Sequence, residues 1–446
     1  MSTDATTSVV PAASLRSRFQ TGIAYNAIGA AFNQGSTFAV NIIVANLLGR
    51  QVFGEYAMIQ STLVTLALIA QLAAGYTATK YVAEFRSTDP QRAGRILGML
   101  TVFSATVAGI AALALFAVSG WLAGSVLKAP ALGTALAIGS GVLLFTVLNG
   151  LLMGALAGLE SYRALARALV WSGLAYLAIC TGLAWWGGLI GAVAGLALSG
   201  LFQFVFLGAA LRRECSLQGI KIHYAGFDQE RSILLKFALP GALSGFTGMP
   251  ALWLASAFLV RQPNGYSQMA IYSASFSLMT AVLFLPNIAN NVGMSLINYH
   301  KGAGEEAGYR QAFWINLVVS TTIVILGACI LAVFGPNLLR LFGKDFNDGY
   351  PVLLVLLLAT IVQGLGIAMY QIIQSQAKMW LSFFAVALPR DAMLVSLAYF
   401  LVPHNGAIGL GTAYALAWAM ALVAIITIVS CTGLRAVPER TSVEGG

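Results

Sequence analysis

RRECSLQGIKIHYAGFDQERSILLK, residues 212–236, is the longest polar connection in a chain of 446 residues that is otherwise overwhelmingly apolar. Outward from it on both sides, apolar stretches of about 20 residues recur, the length a helix needs to cross a bilayer. Breaking the chain at charges and turn residues gives spans near 22–47, 57–79, 96–119, 132–156, 168–186 and 189–210 before the connection. Six more follow it, near 237–259, 269–296, 311–334, 350–375, 381–402 and 407–431. The expected fold is therefore all-α: a polytopic membrane protein of 12 transmembrane helices in two six-helix lobes around a central cavity. Its parts would be a cytoplasmic N-terminal tail (1–20), an N-lobe (21–211), a cytoplasmic linker (212–236), a C-lobe (237–432) and a cytoplasmic tail (433–446).

Composition supports this. Hydrophobic residues make up 59% and charged residues 9%, where soluble domains carry about 25% charged residues. The formal charge of +9 does not read as a nucleic-acid surface, because the cations punctuate apolar spans rather than line a soluble face. With the N-terminus inside, eighteen of the 24 Lys and Arg fall in the cytoplasm, five outside and Arg390 within the membrane, which predicts both termini inside. The opening MSTDATTSVVPAASLRSRFQ lacks an apolar h-region and a small-residue cleavage site, so the first span is expected to direct insertion itself.

Chemistry is hard to find. Cys180, Cys215, Cys329 and Cys431 show no CxxC spacing, and His223, His300 and His404 are scattered, so neither a disulfide framework nor a metal site is expected. There is no GxxxxGK[ST] phosphate loop, GxSxG or HExxH. A transporter rather than an enzyme follows, with no cofactor, driven by an H+ or Na+ gradient or by consumption of its product.

The two halves look like weak copies. GRQVFGEYAMIQS (49–61) and VRQPNGYSQMAIYSAS (260–275) open the second and eighth spans with related residues. GGLIGAVAGLA (187–197) and NGAIGLGTAYA (405–415) open the sixth and twelfth with the same Gly-x-Ile-Gly. Both halves cross an even number of times, so the repeat is parallel, and substrate sites in transporters tend to lie at such an interface.

Polar stripes interrupt the apolar helices. Asn26, Asn33, Thr37 and Asn41 share one narrow sector of the first span, and Asn287, Asn290, Asn291 and Asn298 follow Pro286 in the eighth. Gln363, Tyr370 and Gln374 form a third stripe, and Gln60 with Gln71 a sparser one. An amide facing hydrocarbon without a partner is expensive, so these faces meet either other helices or a wet cavity.

SFFAVALPRDAMLVSLAYFLVP, 382–403, carries Arg390 and Asp391 side by side in the eleventh span. A charge at mid-bilayer costs roughly 2.5–3.5 kcal/mol on insertion scales. Two placements are open: facing a cavity, with Arg390 toward an anionic substrate and Asp391 orienting it or joining ion coupling, or a shifted span that leaves both at the cytoplasmic surface. The shift would drag Pro403, His404 and Asn405 into the membrane. Neighbouring side chains diverge by about 100° around a helix, so the pair is expected not to neutralise itself. Lys80 and Lys236, at span ends, would either enter the cavity mouth or snorkel to headgroups. Glu160, Arg163 and Arg167 read as an ordinary cytoplasmic turn.

NIIVANLLGRQVFGEYAMIQSTLVTLALIAQLAAGYTATKYVAEF (41–85) resembles the first-to-second-span signature of the polysaccharide transporter, or O-antigen (Wzx-type) flippase, family. The matching elements are Leu48-Gly49, Phe53-Gly54-x-Tyr56, and Gly75 followed by small residues and a basic residue. LVPHNGAIGLGTAYA (401–415) is similar to its last hairpin and FALPGALSGF (237–246) to its seventh-span opening at Pro240. The resemblance implies the multidrug/oligosaccharidyl-lipid/polysaccharide (MOP) exporter superfamily, with two lobes in a V. It implies an inner-membrane flippase moving undecaprenyl-diphosphate-linked glycan units outward by alternating access, for O-antigen, lipopolysaccharide or related polysaccharide biosynthesis. A glycan polymerase and chain-length machinery would be partners. Family cavities tend to be cationic, whereas here Arg390 stands almost alone. The alternatives are an ion-coupled multidrug (MATE-type) exporter, which would want a carboxylate central to the N-lobe spans, and a membrane glycan polymerase or ligase, which would want a large periplasmic loop.

Overall fold

The computed structural model describes residues 12–71, 74–224, 247–376 and 379–432. Among them all regular structure is helical. Ala12–Gln71 is broken at Gly49 into α1 (12–48) and α2 (50–71), which resumes as Ala74–Phe85. Pro90–Trp121 is α3 and Gly133–Gly158 is α4. Tyr162–Leu217 is broken at Gly188 into α5 (162–187) and α6 (189–217). Gly248–Val260 is α7, Gly265–Ala303 α8, Glu306–Arg340 α9 and Tyr350–Ser375 α10. Met379–Ser382 leads through a π-turn, Phe383–Ala387, into Leu388–Thr432, and a break at Gly406 divides this rod into α11 (379–405) and α12 (407–432). Among the described residues eight helices are long and apolar enough to cross a membrane. Three of these hold a glycine break, and the shorter apolar α7 completes the expected twelve segments.

Several boundaries differ from the sequence reading. α1 starts ten residues earlier, α6 runs on through six residues assigned to the linker, and α9 is longer at both ends. These extensions carry the charges Arg16, Arg18, Arg212, Arg213, Glu214, Glu306, Arg310 and Arg340, at which a hydropathy reading ends a span. The inner part of the seventh span, with Lys236 and Pro240, lies outside the described residues.

The Gly-x-Ile-Gly similarity marks a shared backbone event. Gly188 has φ 58°, ψ −134° and Gly406 has φ 54°, ψ −130°. Glycine alone enters this region without strain. Three residues on, a Cβ on Gly191 would lie 1.9 Å from the Leu183 carbonyl oxygen, and one on Gly409 would lie 2.5 Å from that of Leu401. Each motif thus folds a helix back on its predecessor by the same route. The six outer connections each contain one residue of positive φ: Gly49, Lys128, Gly188, Asn264, Gly343 and Gly406.

Packing along the molecule is asymmetric. At the outer ends one apolar core includes residues of both halves. Phe38 of α1 and Phe53 of α2 meet Phe342 in the α9–α10 connection at ring-centroid separations of 5.8 and 6.2 Å, and Phe53 also meets Phe346 at 5.9 Å. Gly54 is pressed against α8, where a Cβ would sit 1.8 Å from the Tyr266 carbonyl oxygen. Trp253 Nε1 of α7 donates to Thr62 Oγ1 of α2 at 2.8 Å. Arg50 covers this layer, donating to Asp348 Oδ2 at 3.0 Å and to the Asp345 carbonyl at 2.9 Å. Toward the inner ends the cores separate. One, around Ile96, Leu100, Leu156 and Leu211, holds first-half residues only, and two others, around Ile297, Phe313 and Ile372 and around Val386 and Ile425, hold second-half residues only. The described residues thus form a V joined at the outer ends and parted at the inner ends.

Candidate substrate site

Arg390 and Asp391 sit well inside α11. The helix begins at Met379, roughly 16 Å before Arg390 at 1.5 Å per residue, so α11 does not begin beyond the acidic residue. Pro389 has no N–H to return to the carbonyl four residues back, and just before it the backbone widens into a π-turn, with the Leu388 N–H donating to the Phe383 carbonyl. This presents Arg390 toward α12, where its guanidinium lies 4.7 Å from the centroid of the Trp418 ring.

One expectation is corrected here: the pair does neutralise itself. Arg390 Nε donates to Asp391 Oδ1 at 2.8 Å and Nη2 reaches the same oxygen at 2.7 Å. The long arginine stem curls back across the divergence of adjacent positions. The other carboxylate oxygen, Asp391 Oδ2, is buried without a hydrogen-bond partner among the described residues, beside Gly248 of α7. The Arg390 side chain keeps 20% of its surface and that of Asp391 only 6%. Next to them, the Tyr414 hydroxyl of α12 donates to Gln363 Oε1 of α10 at 2.9 Å. The aromatic residues Trp418 and Tyr414 escaped sequence reasoning because aromatics are ordinary in apolar spans. Tyr370, on the same stripe as Gln363, accepts from the Ser382 hydroxyl of α11 at 2.5 Å.

The α8 stripe splits. Asn290 is a second correction, since it is buried rather than cavity-lining. Its Oδ1 accepts from Asn316 Nδ2 of α9 at 3.0 Å and from the Ser320 hydroxyl at 3.1 Å. Gln371 of α10 closes the network, accepting from Asn316 at 3.0 Å and donating to the Asn290 carbonyl at 2.8 Å. Asn316, Ser320 and Gln371 were not among the stripes read from the sequence, although Asn316 and Ser320, four residues apart, share one face of α9. Asn316→Ala should leave Gln371 Oε1 without this donor and lower stability by roughly 1–3 kcal/mol, read as a lower thermal-inactivation midpoint of the purified protein.

Asn287, Asn291 and Asn298 are exposed. With Ser295 they occupy a sector of about 80° at 100° per residue, flanked by exposed Leu285, Leu296 and Tyr299. A polar sector beside an apolar one is what a helix at the edge of a wet cleft requires, amides toward water and leucines toward lipid. Asn33 of α1 is likewise exposed, whereas Asn41, nearer the outer closure, is buried with Oδ1 unpartnered. Asn26 lies in α1, its side chain outside the described residues. Gln374 is exposed near the inner end of α10. Cysteines replacing Asn33 and Asn291 should react with a membrane-impermeant maleimide, whereas one at Leu113, exposed on apolar α3, should not. Protection of both asparagine positions in every condition would reject the wet cleft.

At the inner end Lys80 is exposed, its Nζ 4.9 Å from the Tyr81 ring centroid. Glu160 pairs with Arg86 at 2.6 Å rather than within its own turn, and Arg163 lies over Tyr25 at 5.1 Å. The described residues contain no group of His, Cys, Asp or Glu able to hold a metal ion.

No family model matches the chain. Among curated proteins it is 25% identical over 382 residues to the EPS I polysaccharide export inner membrane protein EpsE of Ralstonia nicotianae, covering 83% of this chain and 84% of the relative. Among solved structures it superposes on an inward-facing multidrug resistance MATE family transporter of the MOP superfamily with a TM-score of 0.73 at 13% identity, covering 91% of this chain and 98% of that one. On an outward-facing MATE family transporter the TM-score is 0.67 at 16% identity, over 93% and 96% of the two chains. Twelve segments in two lobes, superposing over 91% of the chain on such a transporter, show that this multi-pass membrane protein has the fold of the MATE family structures, and over most of its length its sequence is similar to that of a polysaccharide export inner membrane protein.

Proposed function

We propose that this transporter moves a lipid-linked oligosaccharide, an undecaprenyl-diphosphate-bound glycan repeat unit, from the cytoplasmic to the periplasmic leaflet by alternating access. The observation that carries this reading is the inner parting of the V, beside which exposed Asn33, Asn287 and Asn291 supply both donors and acceptors for sugar hydroxyls. The name of the Ralstonia relative supports a polysaccharide-related cargo. Arg390 is the headgroup contact in this reading, because a guanidinium grips phosphate through paired N–H groups. Lys80 and Lys236 would receive the diphosphate at the cytoplasmic mouth, and a periplasmic polymerase would consume the product.

The test is reconstitution. Proteoliposomes loaded on one leaflet with a fluorescent lipid-linked oligosaccharide should expose its headgroup to an impermeant reagent on the other side, faster than protein-free vesicles. Vesicles that leave the glycolipid in place yet move an organic cation would overturn the proposal in favour of drug export.

A further inference from the structure

We propose that Asp391 is an internal stand-in for the cargo's anion: it occupies the Arg390 guanidinium in the empty transporter and is exchanged for an anionic headgroup when cargo binds. This rests on the headgroup reading of Arg390 above. Three observations support it. Arg390 spends Nε and Nη2 on one oxygen of Asp391, at 2.8 and 2.7 Å, while a fifth of its side chain stays open. Asp391 Oδ2 is buried and unpartnered, so among the described residues the carboxylate is held by Arg390 and by no other hydrogen-bond donor. Trp418, 4.7 Å from the guanidinium carbon, supplies a flat support over which Arg390 can change partner without leaving its seat.

Chemistry dictates the rest. A guanidinium already held by a carboxylate gives weak affinity for a stray monovalent anion but binds a group that brings more negative charge and more acceptor oxygens to its paired N–H groups, as a diphosphate does. The exchange also sets release: once the cargo is handed on, Asp391 reclaims Arg390, so the site does not retain its ligand. The charged and titratable groups facing the pair from packed helices are few. Tyr414 of α12 lies within electrostatic range of both, Tyr272 of α8 lies near Tyr414, and α7 and α10 contribute uncharged Gly248 and Gln363 among the described residues. Two sources of the anion share this chemistry, the diphosphate of the lipid carrier and the carboxylate of an acidic sugar.

The experiment measures binding in nanodiscs through the change in tryptophan fluorescence that is lost in Trp418→Phe. The probes are a short polyprenyl diphosphate, the corresponding polyprenol and glucuronate. Asp391→Asn should bind the diphosphate about tenfold more tightly than the parent, because the competing carboxylate is gone, yet translocate more slowly in proteoliposomes because release slows. Tightening toward glucuronate instead would assign the anion to the sugar. An Asp391→Asn protein that binds no tighter, while Arg390→Ala still loses the preference for diphosphate over polyprenol, overturns the exchange and leaves Asp391 a positioning residue. An Arg390→Ala protein that keeps that preference overturns the headgroup reading itself. In the unmodified protein, a structure with the diphosphate bound should show Arg390 on phosphate and beyond hydrogen-bond reach of Asp391. A pair still intact beneath bound ligand overturns the proposal independently of any variant.

Discussion

Arg390→Ala should reduce surface polysaccharide below detection in cells whose only copy of the transporter carries the change, with the protein still present in the membrane. The substitution removes the guanidinium over Trp418 and strands Asp391, whose remaining surface is only 6%. Stranding a buried carboxylate costs several kcal/mol, so membrane abundance must be measured beside the glycan. The double change Arg390→Ala with Asp391→Ala removes both charges and avoids that cost, since loss of a whole buried pair is often close to neutral. Arg390→Lys should restore only part of the glycan, because an ammonium is a point charge without the planar fork. A double variant of normal abundance that makes normal surface polysaccharide would exclude the pair from the transport route.

Gly54→Ala is expected to drive the outer ends apart. A methyl group there would fall 1.8 Å from the Tyr266 carbonyl oxygen, with the Ala270 nitrogen at 3.2 Å, so α2 and α8 must separate where they now touch. The contact lies between the lobes, and the substitution therefore strains one conformation more than the fold of either lobe. Overpacking of this kind costs roughly 1–3 kcal/mol, a shift of about 5- to 150-fold in the balance of two states. The displaced Phe53 would also loosen from Phe342 and Phe346. Spin labels on the outer connections, at Lys128 and Lys344, should report a longer distance in Gly54→Ala than in the parent, and transport should fall in proportion. An unchanged distance distribution with full transport would show that the outer closure is not the joint on which the cycle turns.

The twelve segments were legible because a spanning helix must be apolar over its whole length, and the duplication because Gly188 and Gly406 are needed for one and the same turn. The Arg390–Asp391 position was legible too, since charge inside hydrocarbon requires an explanation. What the sequence did not show is rotation about each helix axis. Asn290 and Asn291 are adjacent, yet one closes a buried amide network and the other is exposed. Their assignment depends on where Asn316 and Gln371 arrive from α9 and α10. Arg50 is one of the five outside cations of the topology reading, and its engagement of Asp348 follows only from the tertiary fold.

A molecule joined at one end and parted at the other behaves as a pair of tongs, with the rings of Phe53, Phe342 and Phe346 as its pivot. Tongs accept objects of varied girth without being rebuilt, because only the angle changes. On the function proposed above, repeat units with longer or branched sugars are tolerated at the grip, and the selective step moves to the pivot, which then has to be dismantled before anything leaves on the far side.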